Sequence, residues 1–103
     1  MIMTDKSNTQ KSIDQYLADG FYYMYGDGEM IDWDLAYRNL RKAADFGSAV
    51  ACYHLGHLFF TEAGAHWNLE EAKRWFEEAY RRGYEAGRSR AWQVSELMKE
   101  SED

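Results

Sequence analysis

Residues 48–83 read SAVACYHLGHLFFTEAGAHWNLEEAKRWFEEAYRRG. Small and apolar residues recur at intervals of three and four along two parts of this stretch. The first part runs from Ala51 to Phe59 and the second from Ala72 to Ala79. This spacing places the apolar residues of each part on one face of a helix. The stretch therefore predicts two helices that pack against each other as a hairpin.

Both predicted helices carry typical start and stop residues. Ser48 and Asn68 are common N-caps, because their side chains accept hydrogen bonds from free amides of the first turn. Gly83 follows Arg81 and Arg82, and a glycine after a basic last turn is a common helix end. We interpret the two arginines as charges that stabilise a helix end rather than as a phosphate site.

The same pattern occurs once more, 36 residues earlier. A shift of 36 aligns Gly20 with Gly56 and Gly47 with Gly83 without a gap. Repeated helical hairpins stack side by side as solenoids. We therefore expect an all-α fold, an α-solenoid of two and a half helical hairpins. Its five helices are predicted near 13–25, 32–46, 48–61, 68–82 and 84–99.

The chain of 103 residues has room for one hydrophobic core. We expect a single repeat domain over 13–99, between flexible tails at 1–12 and 100–103. Its parts are repeat 1 at 13–47, repeat 2 at 48–83 and a capping helix at 84–99. Gly20 and Gly56 lie inside predicted helices, which indicates close approach between helices.

The order of these residues resembles the Sel-one-like repeat family, a relative of the tetratricopeptide repeat. The second unit matches the family pattern at Ala51, Leu55, Gly56, Phe59, Gly64, Asn68, Ala72, Trp75, Phe76, Ala79 and Gly83. The first matches it at Gly20, Tyr23, Gly26, Gly28, Asp32, Ala36, Leu40, Lys42, Ala43, Ala44 and Gly47. Departures occur at Gln15, Asp19, Asn39 and Glu62. The resemblance implies an α-solenoid that serves as a protein-interaction scaffold.

The composition argues against several classes of protein. Eighteen acidic and 12 basic residues give a net charge of −6, whereas dedicated nucleic-acid binders are usually basic. No run of apolar residues is long enough for a transmembrane helix, and residues 1–12 lack the apolar core of a secretory signal. Cys52 is the only cysteine. We therefore expect a cytoplasmic protein without a nucleic-acid or membrane partner.

Side chains suited to catalysis or metal binding are few. His54, His57 and His66 with Cys52 and Glu62 could suggest a metal site, but no CxxC or HExxH spacing is present. Cys52 and His54 diverge by about 200° around a helix, which argues against a nucleophile–base pair. We expect Cys52 to be buried, and we predict no enzyme activity, no metal and no cofactor.

An acidic run lies at the turn of the first hairpin. Its residues are Asp27, Glu29, Asp32 and Asp34. The run lacks the ligand spacing of an EF-hand calcium loop. We interpret these acids as favourable charges at a helix N-terminus. The alternative is an acidic docking patch for a basic partner.

A second apolar stripe runs along the first helix of each unit, opposite the core face. Its residues are Leu17, Phe21, Met24, Tyr53, His57 and Phe60. Two opposite stripes indicate a helix that packs on both sides, or one that packs on one side and binds a partner on the other. The first helices of stacked hairpins line a concave surface, so this stripe is a candidate groove for a protein or peptide.

These patterns predict a non-enzymatic protein–protein interaction module, an adaptor that binds its partner through the second stripe. The alternative is a small acidic cytosolic immunity protein or antitoxin that neutralises a basic effector, motivated by the charge and the short chain. In the first unit, the stripe at Leu17, Phe21 and Met24 has no preceding hairpin to cover it. We therefore expect the N-terminal arm or a second copy in a homodimer to cover it.

Overall fold

The computed structural model describes residues 11–26, 30–61 and 66–101. Over these residues the fold is all-α, with five helices and no strand. They are α1 (Ile13–Tyr25), α2 (Trp33–Asp45), α3 (Ala49–Phe59), α4 (Leu69–Arg81) and α5 (Ala86–Ser101). Each helix packs against the next one along the chain. The predicted all-α class with five helices is confirmed, and every helix end lies within two residues of its predicted position.

Among residues 11–26, 30–61 and 66–101, no helix combines the length and the apolar character that a membrane span needs.

The start of α1 is fixed by a capping box. The Oγ atom of Ser12 accepts a hydrogen bond from the amide of Gln15, and the amide of Ser12 donates to Oε1 of Gln15 at 2.8 Å. The Nζ atom of Lys11 lies 2.6 Å from Oδ2 of Asp19. The two hydrogen bonds between Ser12 and Gln15 satisfy two amides that would otherwise be free. The predicted tail is therefore wrong for Lys11 and Ser12, and residues 1–10 lie outside the described residues.

The turns after α2 and α4 have the same backbone geometry. Gly47 and Gly83 have φ angles of 110° and 105°, in the left-handed region that favours glycine. In each turn the amide after the glycine donates across the helix end, as in a Schellman motif. These bonds join Ser48 N to Ala43 O at 3.0 Å and Tyr84 N to Ala79 O at 2.8 Å. The predicted glycine stop at Gly83 is confirmed.

The starts of α2 and α4 are also alike. The Oδ1 atoms of Asp32 and Asn68 each accept a hydrogen bond of 3.0 Å from the amide three residues later. Their own amides donate to carbonyl oxygens at the end of the preceding helix. These bonds reach Tyr23 O at 2.9 Å and Phe59 O at 2.8 Å. Each cap therefore both starts a helix and ties it to its neighbour.

Two glycines allow close packing between helices. A Cβ atom added at Gly20 would lie 2.8 Å from the side chain of Leu40, and one at Gly56 would lie 2.5 Å from the ring of Phe76. Leu40 and Phe76 are fully buried. The close approach predicted at both glycines is confirmed, because each provides the space for a large side chain of the following helix.

The two neighbouring aromatic residues of α4 have different environments. Phe76 is fully buried, and Phe59 packs against its cluster. Trp75 is only half-buried, and the guanidinium carbon of Arg41 lies 5.3 Å from its ring. Successive residues on a helix point about 100° apart, so Phe76 faces the core while Trp75 faces α2. Trp75 is therefore less deeply buried than Phe76.

Arg82 joins the ends of two helices. Its Nη1 atom donates to the carbonyl oxygen of Ala44 at 2.8 Å, and its Nε atom donates to Glu78 at 2.7 Å. Arg81 also contacts Glu78, at 2.9 Å. Ala44 lies at the carboxyl end of α2. Arg82 therefore stabilises the end of α2 as well as the end of its own helix, α4.

Candidate partner-binding surface

Ring-bearing side chains form a row across α1, α3 and the segment that follows α3. Their rings contact one another or share the buried ring of Phe76 as a neighbour. We call this set the A-helix row. It consists of Phe21, Tyr25, Tyr53, His54, His57, Phe60 and Trp67.

The row begins where α1 meets α3. The hydroxyl oxygen of Tyr25 lies 2.8 Å from Nδ1 of His54. The ring centroid of Phe21 lies 4.6 Å from that of His54, in an edge-on arrangement. Since α2 separates α1 from α3 in the sequence, these contacts hold the first helices of the two hairpins side by side.

The middle of the row is enclosed by three helices. Arg90 of α5 donates from its Nε atom to the hydroxyl of Tyr53 at 3.1 Å. The ring centroid of Tyr53 lies 4.8 Å from His57, 5.4 Å from Phe76 and 4.7 Å from Tyr84. Tyr53 therefore contributes to packing as well as to the surface.

The far end of the row is a stacked pair. The rings of Phe60 and Trp67 are nearly parallel, with an interplanar angle of 15° and centroids 6.2 Å apart. Trp67 is 41% exposed, and Tyr25 at the other end is 53% exposed. The row thus has accessible rings at both ends and half-buried rings between them.

The predicted stripe and the observed row overlap in part. Phe21, Tyr53, His57 and Phe60 belong to both. Sequence reasoning missed Tyr25, although it follows Phe21 by four residues and so shares its helix face. It also missed Trp67, which lies between helices, where no periodicity marks a buried or exposed side.

Two residues of the predicted stripe lie elsewhere. Met24 is only 4% exposed and belongs to the core, so its predicted place on a binding surface is wrong. It follows Gly20 by four residues and therefore shares the face that α2 covers. Leu17 is half-buried against the same core. Phe21 packs on His54, so part of the first-unit stripe is covered within the described chain, and its cover by the N-terminal arm or a second copy stays a prediction.

The row is uncharged at neutral pH. Burial, the charge of Arg90 and the neighbouring His54 lower the pKa of His57 to about 4. Burial also lowers the pKa of His54. Desolvation of the hydroxyl, with a smaller contribution from Tyr53, raises the pKa of Tyr25 to about 12. The hydrogen bond between Tyr25 and His54 therefore joins two neutral groups.

Two acids of the predicted docking patch have contacts within the chain. Asp32 caps α2, as its place before the helix predicts. Oδ1 of Asp34 lies 2.9 Å from Nε2 of His66, whose ring stacks on Tyr37. Asp27 and Glu29 lie outside the described residues, so the patch as a whole stays a prediction.

The residues considered for chemistry lie in different environments, with Cys52 in the core, His54 and His57 in the A-helix row and His66 beside Asp34. Cys52 is fully buried, as predicted, and burial raises the pKa of its thiol, which favours the unreactive protonated form. Within the described part of the chain, no three His, Cys, Asp or Glu side chains are grouped to hold a metal ion. Glu62 and Gly64 lie outside the described residues.

Comparison with known proteins finds a partial relative. No protein-family model matches the chain, and no solved structure matches it. The chain is similar to Chitin synthase regulatory factor 4 of Schizosaccharomyces pombe, with 36% identity over 69 residues. The matched segment covers 66% of this chain and 10% of the relative. The chain therefore spans about a tenth of the length of that relative.

Proposed function

We propose that this chain is a non-enzymatic protein-interaction module of the Sel-one-like repeat type. It binds a protein or peptide partner through the A-helix row. The observation that carries the proposal is the row itself, an uncharged set of rings that is accessible at both ends and rests on the core.

The chemistry of the row suits protein recognition. Tyrosine and tryptophan combine a large apolar surface with a hydrogen-bonding group, and they are enriched among the residues that contribute most to binding. The rings between Tyr25 and Trp67 are held by their neighbours, so little side-chain freedom is lost when a partner binds. A partner that presents apolar side chains would bury the two exposed rings.

The repeat interpretation is supported by local structures that recur at an interval of 36 residues. Asp32 and Asn68 make the same cap, and Gly47 and Gly83 make the same turn. The name of the yeast relative describes a regulatory factor, and regulation through contacts with another protein is consistent with this proposal.

The alternative role, an acidic inhibitor of a basic effector, gains no support from the described acids. Asp32 is engaged as a helix cap, and Asp34 contacts His66. Both carboxylates already have structural roles, so we keep the uncharged row as the proposed binding surface.

Site-specific photo-crosslinking in cells that make the protein tests the proposal. A photo-reactive phenylalanine analogue replaces Tyr25, Trp67 or, as a control, Phe46. Phe46 is 50% exposed at the turn after α2 and lies outside the row. We expect one discrete crosslinked protein from positions 25 and 67 and none from position 46. Equal crosslinks from all three positions, or none from the row, would contradict the proposal.

A further inference from the structure

The outer face of α5 is centred on an exposed tryptophan. Trp92 is 64% exposed, more than any other large hydrophobic side chain among the described residues. Arg88 and Gln93 beside it are exposed as well. Tyr80 and Leu97, which line the grooves beside Trp92, are 41% and 39% exposed, so the three side chains form an apolar patch of the kind that marks an interaction surface.

The position of Trp92 in the helix pattern shows which face it occupies. It follows Gly56 by 36 residues and Gly20 by 72. At those glycines α3 and α1 receive Phe76 and Leu40 of the following helix. In α5 the same position carries an indole instead of an open space. A helix that covers this face must therefore pack against a tryptophan rather than insert a large side chain.

The surface around Trp92 contains both a projection and recesses. One groove of about 450 Å³ lies between Trp92, Phe60 and Leu97. A second, of about 350 Å³, lies between Trp92, Tyr80 and Ala91. A two-fold interface brings the same patch of both copies together, so the two rings meet near the axis and the grooves beside them receive the flanking side chains of the other copy.

The charges of α5 are complementary about Trp92. Arg88 and Glu96 lie four residues before and after it, and Glu85 and Lys99 lie seven residues before and after it. In an antiparallel pair of helices with a two-fold axis at Trp92, residues equally far from it in opposite directions face each other. Arg88 then faces Glu96 of the second copy, and Glu85, one residue before α5, faces Lys99, so both of these pairs join opposite charges.

The existing contacts of these residues do not oppose this pairing. Glu96 and Lys99 form an exposed ion pair of 3.3 Å within α5. The guanidinium of Arg88 lies 5.9 Å from the ring of Tyr80. Exposed ion pairs contribute little to stability, so their exchange for contacts between copies has a small cost.

We propose that the outer face of α5 is a homodimer interface. Two copies of the chain pack α5 against α5 in antiparallel orientation, with the two Trp92 side chains at the two-fold axis. This interface differs from the one predicted from the sequence, which was placed at the opposite end of the chain on α1. It adjoins the A-helix row at Phe60, which lines one of the grooves beside Trp92, and it does not require that the row bind a partner.

The molar mass in solution tests the interface. Sedimentation equilibrium of the full chain should show a reversible monomer–dimer equilibrium. Trp92→Ala should raise the dimer dissociation constant at least about tenfold, because the central ring is lost. Tyr22→Ala is the matched control, since Tyr22 is 49% exposed on α1 and should leave the constant unchanged. Circular dichroism checks that each variant remains helical. A wild-type chain that stays monomeric at millimolar concentration overturns the proposal, as does an equal effect of both variants.

Charge reversal tests the symmetry directly. Arg88→Glu alone places two acids opposite each other at both contacts, and Glu96→Arg alone places two bases opposite each other. Each variant alone should therefore dimerise more weakly than the wild type. An equimolar mixture should recover dimerisation as a heterodimer, because both of its contacts join a Glu to an Arg. A mixture that associates no better than the separate variants contradicts the antiparallel arrangement.

Discussion

Gly87 sets the distance between α5 and α4. A Cβ atom at this position would overlap the carbonyl oxygen of Phe76 and come within 2.9 Å of the amide nitrogen of Tyr80. At Gly56, by contrast, the added atom would meet the side-chain ring of Phe76. The ring of Phe76 shifts with its own side chain, whereas helix backbone moves only with its whole helix.

Alanine substitutions at Gly87 and Gly56 should distinguish a clash with helix backbone from a clash with a side-chain ring. We expect Gly87→Ala to lower the free energy of unfolding by about 2–3 kcal/mol, at the upper end of the usual cost of overpacking. Gly56→Ala should cost about 1 kcal/mol, since the better helix propensity of Ala offsets part of the strain. Urea denaturation of both variants measures the difference. Gly87→Ala with wild-type stability would show that α5 does not approach α4 as closely as described.

His57 should make folding sensitive to mild acid. Its folded-state pKa of about 4 lies below the ordinary value of 6.5, so the unfolded chain takes up a proton that the folded ring does not. Its contribution to stability is therefore complete above about pH 6.5 and is lost as the pH falls toward 4. The direction is the same for His54, whose pKa burial also lowers.

Substitution of His57 shows how much of the pH dependence of folding stability comes from this residue. His57→Phe places at position 57 the residue that occupies the corresponding position 21. Urea midpoints measured at pH 7.5 and pH 5 should differ less for this variant than for the wild type. An unchanged pH dependence would mean that the folded protein protonates His57 as readily as the unfolded chain does.

Two adjacent residues of α4 differ in how deeply they are buried. Phe76 is fully buried beside Gly56, whereas Trp75 is half-buried beside Arg41. Phe76→Ala should therefore cost about 3–5 kcal/mol of stability, and Trp75→Ala should cost clearly less. Chemical denaturation under the same conditions compares them. A larger loss for Trp75→Ala would mean that α4 is rotated about its axis from the described orientation.

The helices could be predicted from the sequence because their signals are local. Asn68 and Gly83 act within a few residues of their own positions, so spacing alone indicates where helices start and stop. The assignment of faces was less secure. Met24 and Phe21 lie three residues apart on one helix, and only the direction of α2 determines that Met24 is buried. The position of Trp67 depends on the connection between helices, which periodicity does not describe.

The molecule as a whole offers two different surfaces. The A-helix row crosses α1 and α3, and its titratable rings are uncharged at neutral pH. The outer face of α5 combines one tryptophan with charges of both signs. Association through α5 should therefore weaken as salt increases, whereas binding through the row should depend little on salt. This difference provides a simple way to tell the two kinds of complex apart.

The most direct test of the binding role uses the protein that crosslinks to positions 25 and 67. Isothermal titration would measure its dissociation constant for the wild-type chain and for Tyr25→Ala, Trp67→Ala and the control Phe46→Ala. If the A-helix row is the binding surface, each row variant should raise the constant about 30-fold, which corresponds to about 2 kcal/mol, and the control should leave it unchanged. Equal constants for the row variants and the control would contradict a binding role for the row.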